Sequence, residues 1–575
     1  MDNYEVARIF SKTAKMLEFQ NADSYKIRAY IKASYQIKNL REDVSKLYED
    51  NKLDNIPGVG VSLSEKIEDI LTTGAFYEYE NIKQSTPVDI EELLDIPGIG
   101  PRTLQTLYKR LGIKTVDDLK KAAKTHRIRR IPNMGIRQEK RILDAIKRHE
   151  NRGEGLILLD TALKVADEIQ LILESHPHIT DVTVAGSVRR RKETVEDVNL
   201  IARSDDPEHV IDLFTQLGNV QTVLNKEKNR AVVIYKYNVP VDLQIVDDGC
   251  FGSILVHFTG STNHNIHLQK IASSMDVHLN ELGLTNLKNG YKLDCNSERD
   301  VYQNLGMDYI PPELREDRGE IESALEQILP KLITDDAIKG DLHIHSNWSD
   351  GKNTIQEIAD EARNLGYEYI AICDHSKSRA NASGLSECQL LKRMDEIEKI
   401  NNKYDDFQIF TGTECDIKAN ASLDYNSNVL EKMDIVIAAI HSGFDGDRKS
   451  ITKRIVRALE NEHVNILAHP TGRRLGERAG YTVDMDKVFE TAKINNKILE
   501  INGSPSRLDL NDVNAKKAKE MGIPLIINTD AHRIHDMSRN MNYGIDVARR
   551  GWLEPVDVVN SLNLVDFCRL MNIDY

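Results

Sequence analysis

From Lys339 onward the chain repeats one pattern, a short apolar run followed by a helical stretch. The runs are Asp341-Leu-His-Ile-His, Tyr369-Ile-Ala-Ile-Cys, Phe407-Gln-Ile-Phe, Ile435-Val-Ile-Ala-Ala-Ile, Val464-Asn-Ile-Leu-Ala, Ile498-Leu-Glu-Ile and Pro524-Leu-Ile-Ile-Asn. Seven apolar strands alternating with helices imply a parallel sheet, most simply a β/α barrel. The strand C-termini of such a barrel form one face, where active sites lie. His343 and His345 end the first run, with Asp350 just beyond. His375 ends the second, Glu414 the third, His441 the fourth, His469 the fifth, and Asp530 with His532 the last. Six of the 17 histidines and three carboxylates therefore share one topological position. A lone histidine is usually an ordinary polar or core residue. Nine N and O ligands repeated in this way suit several Zn²⁺, Mn²⁺ or Fe ions rather than Ca²⁺.

The N-terminal half has a different texture. Residues 1–80 read as short amphipathic helices, and the pattern continues through Leu94–Ala122 and 138–149. Ile56-Pro57-Gly58-Val59-Gly60 and Ile96-Pro97-Gly98-Ile99-Gly100 each open a helix, 40 residues apart, with a degenerate copy at Ile131-Pro132-Asn133-Met134-Gly135. Glycine permits a tight turn and close backbone approach, and the helix that follows offers free N–H groups to a phosphate. The net charge of −15 argues against a nucleic-acid partner, but residues 101–150 carry 15 Lys/Arg against 5 Asp/Glu. A basic block inside an acidic chain points to one region that meets a polyanion. The turns resemble the helix-hairpin-helix motif, which grips DNA backbone without reading sequence; the resemblance makes Gly58, Gly60, Gly98 and Gly100 contact points.

A third texture starts near Gly155. A helical run, Leu159–Glu174, leads into short strands at 181–185, 198–202, 231–235 and 241–246. Gly186-Ser187-Val188-Arg189-Arg190 follows the first, Asp197-Val-Asn199 opens the second, and Asp242 lies on the last. Residues i and i+2 of a strand share a face, so Asp197, Asn199 and Asp242 can converge. Clustered carboxylates repel unless cations lie between them, and two Mg²⁺ ions clamping a triphosphate and a 3′-hydroxyl are the usual tenants.

These residues resemble the nucleotidyltransferase palm of family X DNA polymerases. That resemblance spans about residues 1–315 and implies that Ser187 and Arg190 hold the phosphate tail. It makes His257, Phe258, Gly260, Ser261 and Asn265 the sugar and base contacts, with Gln269 on the minor-groove side. It makes Lys26 and Tyr30 the holders of a gap's 5′-phosphate, and Lys66 the lysine that forms a Schiff base in lyase-active members. Two departures are visible: Asn199 stands where the family has a second Asp, and Gln269 where it often has Arg. Asp341-Leu-His-Ile-His-Ser with Ser349-Asp-Gly351 resembles the PHP (polymerase and histidinol phosphatase) domain. By that resemblance His343, His345, Glu414 and Asp530 hold one ion; Glu414 bridges to a second held with His441 and His469; Asp350, His375 and His532 hold a third. Arg473 and Arg474 then stand as phosphate clamps.

The expected architecture is multidomain: an all-α helix-hairpin-helix region, an α+β palm with a small thumb-like domain, and a distorted (β/α)7 PHP barrel. Expected boundaries are 1–85, 86–150, 151–246, 247–315, a linker at 316–336, and 337–575. The resemblance implies a bacterial DNA-repair enzyme, in base excision repair, acting on gapped, nicked or primer–template DNA and on dNTPs. Its barrel would be a metal-dependent 3′–5′ exonuclease, with AP endonuclease activity open, using up to three Mn²⁺ or Zn²⁺ ions. The palm would use Mg²⁺ or Mn²⁺, at a rate reduced by Asn199. A fully active gap-filling polymerase, a DNA-binding protein with neither centre active, and a small-molecule phosphatase are the alternatives. No run approaches the roughly 18 apolar residues of a membrane span. Six cysteines without a CxxC pair fit a reducing cytoplasm. A cytoplasmic, nucleoid-associated monomer is the expectation.

Overall fold

Each glycine hairpin is closed by the same backbone bond. Val59 N–H donates to Ile56 O at 3.0 Å, Ile99 N–H to Ile96 O at 3.1 Å, and Met134 N–H to Ile131 O at 3.0 Å. The conserved spacing of isoleucine and glycine therefore encodes one turn three times. Gly58 needs glycine's freedom, with φ +81°. The computed structural model describes residues 3–574, apart from 39, 41–43, 51, 57, 74, 95, 97, 98, 133, 136–138, 140, 141, 144, 145, 147–155, 247–250 and 282. Gly98 thus lies outside the described residues. The chain forms two compact units, Met1–Glu154 with Leu213–Asn238, and Gly155–Asp212 with Val239–Tyr575.

In the first unit, helices including Asn3–Phe19, Ser24–Lys38, Val61–Thr73, Pro101–Leu111 and Val116–Lys124 enclose one apolar core. Phe10, Tyr30 and Phe76 sit at its centre, with ring centroids 5.7–6.1 Å apart. The helix after the second hairpin starts with Gly100 as cap and Pro101 at its first position, where the missing N–H costs nothing.

The second unit holds three palm strands, the thumb and the barrel; the strand Arg230–Tyr235 belongs to the first unit. Strand β1 (Ile179–Ala185) runs antiparallel to β2 (Val198–Ser204), and β2 parallel to β3 (Val239–Val246). Asn199 is the register partner of both Ala185 and Asp242. The thumb has helices Phe251–Thr259 and Thr262–Ser274 and a three-stranded antiparallel sheet.

The barrel strands β4 (Gly340–Ile344), β5 (Tyr369–Ile372), β6 (Gln408–Asp416), β7 (Ile435–Ala439), β8 (Ile466–Leu467), β9 (Ile498–Asn502) and β10 (Leu525–Asn528) lie in chain order, all parallel. Most are buried along their whole length, which is why they read as unbroken apolar runs rather than alternating ones. His345 N–H donates to Ala531 O at 2.9 Å, drawing the last strand's end to the first and nearly closing the ring. Strand β6 is longer than the Phe407–Phe410 run suggests. Its first half pairs with β5 and its second, from Gly412, with β7. Glu414 accordingly lies inside the strand rather than past its end.

The segment read as a linker carries the helix Glu320–Leu325 and is pinned by charge at Glu316, which pairs with Arg190, at Arg318, which pairs with Asp512, and just before it at Arg315. Arg315, fully buried, donates to Glu298 Oε1 at 2.6 Å, and Arg189 donates to Glu298 Oε2 at 2.7 Å. Among the described residues no helix is long and apolar enough to cross a membrane. Burial alone would raise the Glu298 carboxyl, yet Arg315 and Arg189 hold it at about 2, below its ordinary 4.5. A depressed carboxyl stabilises the fold fully above its unfolded value and loses that contribution as pH falls towards 2. Glu298→Ala strands two guanidinium groups and should cost about 3 kcal/mol at neutral pH. Denaturant titration of the second unit's transition checks this; the difference from wild type should shrink below about pH 4.

Candidate metal centre and nucleotidyl-transfer site

Glu414, 1% exposed, is the hub of the barrel's upper face. Its Oε2 lies 2.7 Å from His375 Nδ1, 3.6 Å from His343 Nε2 and 3.7 Å from His345 Nε2. Its Oε1 lies 3.0 Å from both His441 Nε2 and His469 Nε2. Asp530 reaches His345 Nε2 at 3.3 Å, and Asp350 reaches His532 Nε2 at 3.4 Å. All nine sequence-selected side chains thus converge. His469 and Asp530 adopt positive φ, +30° and +51°, a strained backbone that the surrounding structure holds in place.

Three sets of ligand atoms lie within 4.8 Å of one another: His345, Asp350, His375 and His532; His343, His345 and Asp530; and His375, Glu414 and His441. This grouping differs from the one the resemblance implies. His375 joins Glu414 and His441, and His469 is in none of the three sets, although its Nε2 lies 3.0 Å from Glu414 Oε1.

Carboxylates behind the ring fix two of these imidazoles. His343 Nδ1–H donates to Glu500 Oε1 at 2.6 Å, and His441 Nδ1–H to Asp416 Oδ1 at 2.6 Å, so each turns Nε2 inward. Glu500 also accepts from His469 N–H at 2.8 Å. Neither carboxylate was singled out from the sequence. The signals were there: a charged residue in an apolar strand for Glu500, and an i+2 spacing from Glu414 for Asp416.

Inside this shell, His343 Nε2, both ring nitrogens of His345, His375 Nδ1, His469 Nδ1 and Glu414 Oε2 are buried without a well-directed hydrogen bond, the 2.7 Å approach of His375 Nδ1 to Glu414 Oε2 included. Orphaned buried polar atoms are costly, and this donor set fits cations shared among them. Burial, reinforced by His532 and His375, lowers His345 to about 4. Burial and Arg507 lower His469 to about 4. His441 and His532 rise to about 9 despite burial, under Glu414 and Asp416 in one case and Asp350 and Asp530 in the other. Glu414 is held well below its ordinary value, its burial outweighed by His441, His375 and His343. The buried carboxylates call for positive charge here, which divalent ions can supply in place of protons.

A cavity of about 390 Å³ opens over this cluster, rimmed by Arg379, Arg474, Arg478, Arg507 and Phe444. Of the two arginines expected to clamp phosphate, Arg474 lines it. Arg473 does not: its guanidinium forks onto Glu193 at 2.9 and 2.6 Å, so its charge is spent on the palm.

At the palm, Asn199 and Asp242 sit side by side, and Asn199 Nδ2–H donates to Asp197 Oδ1 at 2.9 Å. Gly186 has φ +64°, and a Cβ there would lie 2.7 Å from Asn199 Nδ2, so the turn Gly186–Arg189 that carries Ser187 requires glycine. Arg190 is turned inward, with Nε donating to Glu316 Oε1 at 3.0 Å. His257 and Phe258 end the first thumb helix, edge to face at 5.3 Å. Beyond Gly260, Ser261 caps the next helix, Asn265 Nδ2–H donates to His257 O at 2.7 Å, and Gln269 is exposed. Asn265 Oδ1 is buried without a partner.

In the first unit, Tyr30 OH donates to Glu78 Oε2 at 2.5 Å, Lys66 Nζ lies 2.7 Å from Tyr30 OH and 3.0 Å from Glu78, and Lys26 also pairs with Glu78. Burial would raise the Glu78 carboxyl, yet Lys26, Tyr30 and Lys66 hold it at about 2. No local motif marks Glu78. A Cβ at Gly60 or Gly100 would meet open space, so both hairpins present bare backbone.

Comparison with known proteins agrees with this layout. Family models match residues 1–76 (helix-hairpin-helix domain), 90–148 (SAM-like helix-hairpin-helix tandem), 254–316 (DNA polymerase beta thumb) and 341–504 (PHP domain). A rat DNA polymerase lambda is 25% identical over 342 residues, 55% of this chain and 56% of its own. A probable phosphatase of Thermoanaerobacter sp. is 34% identical over 210 residues, 35% of this chain and 81% of its own. The DNA polymerase/3′-5′ exonuclease PolX of Bacillus subtilis is 36% identical over 568 residues, 98% of each chain. With the helix-hairpin-helix, polymerase beta thumb and PHP models matched in that order along a chain aligned with this relative over 98% of both, the chain belongs to the bacterial family X DNA polymerases that carry a C-terminal PHP domain.

Proposed function

We propose that this chain processes DNA 3′ ends in repair: the barrel is a metal-dependent 3′–5′ exonuclease, and the N-terminal half grips gapped or nicked DNA. The buried Glu414–histidine cluster, with its orphaned inward atoms, carries the reading. Divalent ions bound there, Mn²⁺ or Zn²⁺, would polarise the scissile phosphate and supply a nucleophile at neutral pH. Glu500 and Asp416 hold His343 and His441 with Nε2 inward. Arg474 and Arg507 face the cavity where a diester's non-bridging oxygens would lie. The hairpins' bare backbone at Gly60 and Gly100 suits sequence-independent contact with phosphates. Lys66 Nζ is engaged by Glu78 at 3.0 Å and by Tyr30 OH at 2.7 Å, an arrangement that favours a role in 5′-phosphate binding over Schiff-base chemistry. The expected domain boundaries, and the assignment of Ser187, Arg190, His257, Phe258, Asn265 and Gln269 to the incoming nucleotide, belong to the same proposal.

The palm, holding Mg²⁺ or Mn²⁺, is proposed to be a weak polymerase. Asn199 offers Nδ2–H to Asp197, so one carboxylate of the pair is replaced by a neutral group that also occupies an oxygen of the other. A fully active gap-filling polymerase is the second reading, favoured by the side-by-side placement of Asn199 and Asp242.

Replacing His343 and His345 together with alanine should abolish shortening of a labelled primer in Mn²⁺ while changing DNA affinity less than about threefold, since the hairpins are untouched. Undiminished shortening would remove the barrel from the reaction. Asn199→Asp should raise primer extension about 10²-fold, some ~2.7 kcal/mol of transition-state stabilisation, without altering the nuclease. Brisk Mg²⁺-dependent gap filling by the unmodified chain would instead establish the second reading.

A further inference from the structure

We propose that Arg550, at the end of the barrel's last long helix (Ile534–Arg550), is a positioning residue for the palm's triphosphate site, acting through Glu316 on Arg190. The inference rests on the reading of Arg190 as a phosphate contact. All the residues concerned lie in the second unit. Arg190 Nε donates to Glu316 Oε1 at 3.0 Å, and its Nη1 to Thr259 O, so its guanidinium is already occupied in the structure. The same Glu316 oxygen accepts from Arg550 Nη1 at 3.0 Å. Arg550 Nη1 also donates to the Arg190 carbonyl at 2.6 Å, and Nη2 to Asp512 Oδ2 at 2.8 Å. Side-chain exposures are 10% for Arg190, 12% for Glu316 and 4% for Arg550, so water screens these charges poorly.

This arrangement makes Glu316 a competitor of the triphosphate for Arg190. A nucleotide can draw the guanidinium away only if Glu316 keeps a cation, and Arg550 supplies it. Without Arg550 the buried carboxylate would hold Arg190 alone and more firmly, because releasing it would leave an uncompensated buried charge. Without the Glu316 charge, Arg190 would be released to the nucleotide. The exonuclease domain therefore sets the nucleotide affinity of the polymerase centre, and the two substitutions act in opposite directions. A merely structural role would weaken the site in both.

The test is dNTP affinity in Mg²⁺ of the full-length protein on one-nucleotide-gapped DNA, with a dideoxy-terminated primer whose last linkage is a phosphorothioate. Arg550→Ala should weaken binding about fivefold and Glu316→Gln should tighten it about threefold, magnitudes ordinary for one ion-pair network. Arg550→Lys should recover part of the loss, and Arg550→Ala should have no further effect in the Glu316→Gln background. Exonuclease activity on single-stranded DNA should stay at wild-type level in each variant. Arg190→Ala separates the two ideas. If the wild type binds no dNTP, or Arg190→Ala binds it as well as wild type, the nucleotide-site reading fails and the inference with it. If Arg190→Ala weakens binding but Arg550→Ala and Glu316→Gln shift it in the same direction or not at all, the inference alone is overturned.

Discussion

Glu414 is buried with five imidazoles within 3.7 Å of its two oxygens, and that density of charge is tolerable only if positive charge balances it. Burying a carboxylate in a barrel mouth is costly unless it is paired. The parallel strands meet this need geometrically: each ends on the same face, so each can deliver one or two ligands to a common point. The length of β6, which pairs with a different neighbour in each half, carries Glu414 to the centre of that point. Glu500 and Asp416 then settle ring orientation from behind. Arg379, Arg474, Arg478 and Arg507 rim the cavity above this point.

The same principle of pairing buried charge recurs along the seam where barrel, palm and thumb meet within the second unit. Arg473 forks onto Glu193, Tyr543 OH donates to Asp160 at 3.1 Å, and Arg191 lies 3.6 Å from Asp546. Arg550, Glu316 and Arg190 continue the series to the end of the turn Gly186–Arg189. Such contacts are directional, so they fix the register of two chemistries on one scaffold more than they add stability. Palm residues Glu193 and Arg191 are thus joined to barrel residues Arg473 and Asp546 by ion pairs within the second unit.

Much of this was legible in the sequence for a physical reason. Strands covered on both faces must be apolar throughout, so the barrel announced its strands, and ligands recurring at their ends announced the face. The hairpins were legible because a positive φ at Gly58 and a fixed closing bond demand particular residues at particular spacings. What escaped were partners supplied from far along the chain. Glu78 for Lys66 and Tyr30, Glu500 for His343 and Glu193 for Arg473 are ordinary acids until the fold brings them close. The Arg473 expectation failed for that reason, and the grouping of ligand atoms around Glu414 depends on side-chain directions that spacing does not carry.

The proposed function stands or falls with a multinuclear cation site at the Glu414 cluster. Equilibrium metal analysis of the full chain at neutral pH, after dialysis against Mn²⁺ or Zn²⁺, tests it directly. More than one tightly held ion per chain, reduced by at least one in Glu414→Gln with the fold retained by circular dichroism, is the expected result. One ion or none in the wild type, or a stoichiometry that Glu414→Gln leaves unchanged, would rule such a site out.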